Sequence, residues 1–156
     1  MSSMRTMAAL GAIFCVSFVA RAQGLYTAVE VDRFSAPHNV AFPVNAQEAL
    51  AEEIAREISV EFPTVLIVRQ GETAPEHQAL LRISGVVTRY DTTKKRFGLG
   101  GPMIEVLVTF LDAFSEKVLL NRELQGKVMI GSGDAGESLA KKIAKTCNAA
   151  HLLASN

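Results

Sequence analysis

The stretch from Ala79 to Ile130, ALLRISGVVTRYDTTKKRFGLGGPMIEVLVTFLDAFSEKVLLNRELQGKVMI, constrains the fold of this chain more than any other. Three long segments in it alternate between apolar and polar residues, and two polar connections join them. From Ala79 to Tyr90, Ala79, Leu81, Ile83, Gly85 and Val87 share one face; Arg82, Ser84, Thr88 and Tyr90 share the other with Leu80 and Val86. From Met103 to Phe114, Ile104, Val106, Val108 and Phe110 alternate with Glu105, Leu107, Thr109 and Leu111. From Val118 to Ile130, Val118, Leu120, Leu124, Val128 and Ile130 oppose Asn121, Glu123, Gln125 and Lys127. A period of two predicts strands with one dry face and one wet face. Short connections predict an antiparallel meander that supplies most of the core. Arg122 interrupts the apolar set, which places it near a strand end or a bulge.

The flanking chain supplies the other elements. Tyr26–Phe34 alternates imperfectly and predicts a first strand. Pro37 and Pro43 mark a loop. Asn45-x-x-Glu48 reads as a capping box, and Leu50, Ile54, Ile58 and Phe62 recur every four residues behind it, predicting a helix that Pro63 stops. Thr64–Gln70 is a β-branched apolar run of the length of a buried strand. Asp134-x-x-Glu137 opens a last helix whose inward stripe is Leu139, Ala140, Ile143, Ala144, Cys147 and His151. The expected fold is α+β. It is one domain with a mostly antiparallel five-stranded sheet in the order β-α-β-β-β-β-α, two helices packing on one face.

The first 22 residues form a separate unit. Arg5 precedes the apolar run Met7–Ala20, and Ala20-Arg21-Ala22 fits the small-x-small rule of signal peptidase. This run of fourteen residues, interrupted only by Gly11, Cys15 and Ser17, is short for a membrane span of about 20. The reading is therefore a cleaved signal peptide, 1–22, and a mature domain, 23–156, with no transmembrane span after cleavage. Cys15 follows Phe14, where a lipid-modified cysteine needs a small residue. Cleavage removes Arg5, Arg21 and Cys15, leaving 14 of the 16 basic residues against 16 acidic ones, a net charge near −2. Cys147 is then the one cysteine, so no internal disulfide forms. An exported chain without disulfides fits a bacterial periplasm or envelope. No long basic run points to nucleic acid.

Several motifs invite chemistry. Gly131-Ser-Gly133-Asp-Ala-Gly136 is a G-x-G-x-x-G between a strand and a helix. Too little chain follows it for the next parallel strand and its ribose-binding acid, and Asp134 stands where a phosphate would bind. It reads as a glycine-rich turn, so no cofactor is expected. His38, His77 and His151 lie far apart, without metal-ligand spacing. Cys147 on an apolar stripe reads as a small core residue. Ser132 and Ser138 lack a nucleophile elbow, and Glu52, Glu53 and Glu57 read as a solvated helix face. No catalytic or metal-binding set emerges. The remaining candidate is the connection Lys94, Lys95, Arg96, Phe97, Gly98, Leu99, Gly100 and Gly101, whose cations and apolar residues exceed what a bare hairpin needs.

The segments Gly85–Tyr90, Arg96–Gly101 and Leu111-Asp112-Ala113 carry a family likeness. The chain resembles the bacterial domain-of-unknown-function family 4410, which shows a G-x-V-x-x-Y/F strand, a basic residue before a G-x-G turn, and a strand ending in Leu-Asp-Ala. The resemblance covers most of the mature chain. It implies an exported envelope protein, often lipid-anchored, and it implies no enzyme, cofactor or catalytic residue. The layout is also similar to small envelope domains of the curli-secretion and penicillin-binding-protein-activator type, by fold analogy alone.

The expectation is thus a non-enzymatic envelope protein that binds another envelope protein through the loop Lys94–Gly101. The alternative is a small-ligand or anion-binding module using that loop or the helix amides at Gly133–Gly136. An enzyme would require a pocket that gathers His77, Arg82 or Cys147.

Overall fold

A computed structural model of the chain describes residues 25–76, 78–92, 102–127 and 134–154. The elements are β1 (Ala28–Val31), α1 (Val44–Glu61), β2 (Leu66–Val68), β3 (Leu80–Asp91), β4 (Met103–Asp112), β5 (Val118–Lys127) and α2 (Ala135–Ala149). This is the order expected. The segment 1–22, expected to be a signal peptide, lies outside the described residues, as do Val128 and Ile130 at the end of the last expected strand.

The five strands form one sheet in the order β2-β1-β3-β4-β5. β3, β4 and β5 make the antiparallel meander. β1 lies between β2 and β3 and runs parallel to both. The helices cover Val29 and Val31, while on the other face Ala28 packs with Val68 and Leu80 and Glu30 pairs with Arg82, so the strand is buried without alternating. All four residues of β1 are buried, Glu30 included. The alternating strand expected over Tyr26–Phe34 is therefore shorter and drier than its pattern. β2 is shorter than Thr64–Gln70 and is an edge strand, with Leu66 exposed.

Both helices cover one face. Leu50, Ile54 and Ile58 of α1 and Leu139, Ile143 and Cys147 of α2 pack into one cluster with Val29, Ile83, Val87, Val106, Val108 and Phe110. Burying each of these large aliphatic side chains contributes about 1.5–3 kcal/mol. Gly126 lets α2 lie directly on β5: a Cβ there would stand 2.0 Å from the Ala135 carbonyl oxygen. At the other end of the face Phe34, fully buried, fills the place a side chain at Gly85 would take.

Two bulges reset the parity of the meander. Between Val87 and Arg89 the register with β4 shifts, so Tyr90 pairs with Ile104 on the helix face instead of following Arg82 and Ser84 onto the wet face. Its ring meets Phe42 edge-on, with centroids 4.9 Å apart. The second shift, between Phe110 and Leu111, pairs Val118 with Leu111. Val118 therefore leaves the helix face expected for it and is half exposed. Arg122 stands at neither a strand end nor a bulge. It pairs with Val108 in the middle of β5 and is exposed because β5 is the sheet's outer edge.

The helix ends also depart from expectation. α1 has no side-chain cap. The carbonyl of Pro43 accepts from the Ala46 and Gln47 amides, which starts the helix at Val44 and leaves Asn45 already inside it. Glu48 reaches Arg33 at 3.5 Å instead of closing a box. At α2, Asp134 Oδ1 does accept from the Glu137 amide at 2.8 Å. The Glu137 carboxylate turns the other way, to Lys141. His151 is not on the inward stripe. It is exposed, past the helix end, with φ of 51°. Its amide bonds to the Asn148 carbonyl and the Leu152 amide to the Cys147 carbonyl, the paired bonds of a left-handed helix stop.

Candidate functional site

The strand directions give the molecule two distinct ends. At one, β3 leads into Thr92 and β4 starts after Pro102, so this is the root of the Lys94–Gly101 connection. That connection, with Lys94, Lys95, Arg96, Phe97, Gly98, Leu99, Gly100 and Gly101, lies outside the described residues. So does the run Gly131–Gly133. Thr92 and Pro102 line a hollow of about 450 Å³ together with Asp134 and Gly136, so both glycine-rich segments are rooted at one place. Phe42, Tyr90 and Ile104 form its apolar floor.

The charges around this hollow are those of Glu53 and Asp134, and its described lining holds no lysine or arginine. Asp134 also occupies a helix amide that an anion would need. The described part of the site therefore opposes a phosphate at the start of α2.

Those candidates for chemistry that lie among the described residues are dispersed. Cys147 is fully buried, and burial pushes its thiol up to about 12, far from a thiolate at neutral pH. His38 is exposed in the loop before α1, and His77 lies outside the described residues. Glu53 and Glu57 both pair with Arg56. Ser132 is outside the described residues, and Ser138 sits in the first turns of α2. Arg82 is on the opposite face of the sheet from Cys147, bound to Glu30. Among the described residues no three histidine, cysteine or carboxylate groups converge to hold a metal ion.

At the opposite end the first and last described segments meet. Tyr26 bridges to Leu153 in parallel; its amide bonds to the Leu152 carbonyl and its carbonyl accepts from Ala154. The Tyr26 phenol donates to Asp112 Oδ2 at 2.9 Å, and burial with this acceptor pushes the phenol up to about 12. Asp112 Oδ1 accepts from the Phe114 and Ser115 amides and the Ser115 hydroxyl, and the Ser115 amide above all holds the carboxyl below its ordinary range. Phe114 projects from this turn, 72% exposed.

Among the described residues the open face of the sheet carries one buried charge. Glu30 is 6% exposed and accepts from Arg82 Nε at 2.9 Å, with Asp32 4.0 Å from the same nitrogen. Burial first, and then Glu30, raises the Asp32 carboxyl. The alternation placed Arg82 on the wet face but could not name its partner, which follows only from the parallel pairing of β1 with β3. Asp112 had a local signal, an acidic residue two and three positions before free amides, which is the pattern of an Asx turn.

The sheet's two edges differ. β5 presents ten residues along its outer side. Beside β2, a groove of about 830 Å³ runs between that strand and α1, lined by Val31, Ala51, Glu52, Ala55, Ile67 and Arg69 among others. Among the described residues no helix is long and apolar enough to cross a membrane.

No protein family matches the chain in a scan of known families, and no curated protein matches it by sequence. Solved structures do match by shape. A PelC dodecamer from Paraburkholderia phytofirmans (L103M form) superposes with a TM-score of 0.56 at 16% identity, over 86% of this chain and 92% of that one. Protein XCC0632 from Xanthomonas campestris, of domain-of-unknown-function family 330, gives a TM-score of 0.54 at 13% identity, over 81% and 84%. The hypothetical protein CT253 from Chlamydia trachomatis gives 0.50 at 12% identity, over 80% and 94%. The chain shares the fold of these bacterial proteins.

Proposed function

We propose that this protein is exported to the bacterial envelope, performs no chemistry of its own, and acts by binding protein, its first partner being a second copy of itself. The observation that carries the reading is the fold shared with PelC, whose subunit it matches over nearly all of its length and which is described as a dodecamer. The apolar run and small-x-small site at residues 1–22 support export. The motifs at Gly85–Tyr90, Arg96–Gly101 and Leu111–Ala113 support kinship with family 4410. The inert, buried Cys147 speaks against nucleophilic catalysis. A small-ligand or anion-binding role is disfavoured by the acidic lining of the hollow at α2. The loop Lys94–Gly101 is left as the candidate contact for a different envelope protein.

Crosslinking in intact cells, followed by mass spectrometry on cells carrying a light and a heavy isotopic form of the chain, tests this. Mixed light–heavy crosslinks within the envelope fraction are expected. Crosslinks confined to single chains, with heat stabilisation by a small phosphorylated ligand, would overturn the reading in favour of a ligand-binding module.

A further inference from the structure

We infer that copies of this chain join head to tail through the two edges of the sheet, β5 of one copy entering the groove between α1 and β2 of the next. The inference rests on the self-association proposed above and names its surfaces.

Among the described residues nothing pairs with the outer side of β2 or of β5, and the two edges are unlike. On β4 the helix-face residues Val106, Val108 and Phe110 are at most 1% exposed. On β5 the residues of the same face, Leu120 and Leu124, are only half buried, and Arg122 between them is exposed. α2 covers β5 near Gly126 and leaves this row as an apolar ridge with one cation. The opposite edge offers a cleft floored by Val31, Ala51, Ala55 and Ile67. An uncovered edge of this length is a template for pairing unless something occupies it.

The charges correspond. In the groove, Arg33 pairs with Glu48 and Arg56 with Glu53 and Glu57. Glu52 and Arg69 have no ion pair among the described residues. On β5, Arg122 and Glu123 likewise have none. Among the described residues the groove thus presents a carboxylate and a cation without an ion pair, and β5 presents Glu123 with two cations, Arg122 and Lys127; of these Arg122 faces the side on which Glu52 lies.

The obvious competitor is a two-fold pairing of β5 with itself. Antiparallel neighbours on one face must share parity, so the two longest registers place Arg122 against Arg122 or Glu123 against Glu123 at the axis. Like charges directly opposite disfavour both. The head-to-tail contact has no such clash. β5 and β2 run in the same direction, so a rotation about an axis along the strands brings them side by side with the helices still on one surface. Contacts between unlike patches close only as rings. In such a ring every copy sets Leu25 and Phe114 on one rim, and the root of the Lys94–Gly101 loop on the other.

Arg122→Cys and Glu52→Cys, made separately in the full chain with Cys15→Ser and mixed under mild oxidation, test the pairing; both positions are exposed, and buried Cys147 does not compete. The mixture is expected to give a disulfide-linked pair containing one copy of each variant, while either variant alone stays unlinked. Dimers of Arg122→Cys alone would establish two-fold pairing and overturn the inference. So would an absence of mixed dimers while wild-type protein runs as an assembly in light scattering, and in that case self-association itself would stand. A wild type that is monomeric in light scattering would overturn both.

Discussion

The phenol of Tyr26 donates a 2.9 Å hydrogen bond to Oδ2 of Asp112, joining residues 86 positions apart. The same Asp112 organises the β4–β5 turn, and Tyr26 is paired on its backbone with the C-terminal segment at Leu153. Tyr26 thus ties the first described segment to the meander through its side chain and to the Leu152–Ala154 segment through its backbone.

Tyr26→Phe removes that bond and should lower the unfolding free energy by about 1 kcal/mol in urea titration. Its pH signature is specific. The Tyr26 phenol and the Cys147 thiol are each raised to about 12, from 10.0 and 9.0. Between those limits the folded state holds more protons than the unfolded one. Stability from these groups is full below pH 9.0 and is lost as the pH rises towards about 12. Urea midpoints should fall across that window, and Tyr26→Phe should flatten the part above pH 10.0. Asp112 acts with the opposite sign. Its lowered pKa contributes stability above the ordinary 3.8, lost as the pH falls through the folded value.

Arg82→Leu strands the Glu30 carboxylate beneath the sheet surface. It should cost about 2 kcal/mol by urea unfolding, since a charged partner is lost and a buried charge remains. Adding Glu30→Leu should recover most of the loss. Equal stabilities for the single and double variants would show that the pair is solvated and energetically idle.

Gly126→Ala should be among the most damaging small substitutions. The new Cβ would meet the Ala135 carbonyl oxygen at 2.0 Å and Leu139 Cβ at 2.9 Å, and backbone cannot swing aside as a side chain can. α2 must lift from β5, at a cost of about 3 kcal/mol or more. A melting temperature within a degree or two of wild type would contradict the close approach.

His151→Gly should stabilise. His151 holds φ at 51° in the helix stop after α2, a conformation that glycine adopts without strain. The expected gain is about 0.5–1 kcal/mol by urea unfolding.

The sequence pattern made the meander legible because alternation at period two is a local signal. Leu81, Ile83, Val87, Leu120 and Leu124 face the helices as their spacing requires. Tyr90 and Val118 were misplaced because a bulge shifts parity by one residue, and no local pattern at Val87 or Phe110 marks it. The buried strand β1 was read as alternating because its dryness comes from two parallel neighbours distant in sequence. The α1 cap was misread because Pro43 competes with Asn45 for the same turn. Composition singles out the Lys94–Gly101 connection, which lies outside the described residues; that Thr92 and Pro102 at its two ends sit beside Asp134 and Tyr90 required the fold. The edge groove had no sequence signal at all: Glu52 and Ile67 line one groove only because β2 returns beside β1.

The central claim is that the chain is exported and assembles with itself. The direct measurement is native mass spectrometry of protein expressed from the full 156-residue sequence in a Gram-negative host and released from the periplasm by osmotic shock. The prediction is an assembly whose mass is a whole-number multiple of a chain beginning at Gln23. A single-chain mass, or protein that keeps residues 1–22 and stays in the cytoplasmic fraction, would contradict it.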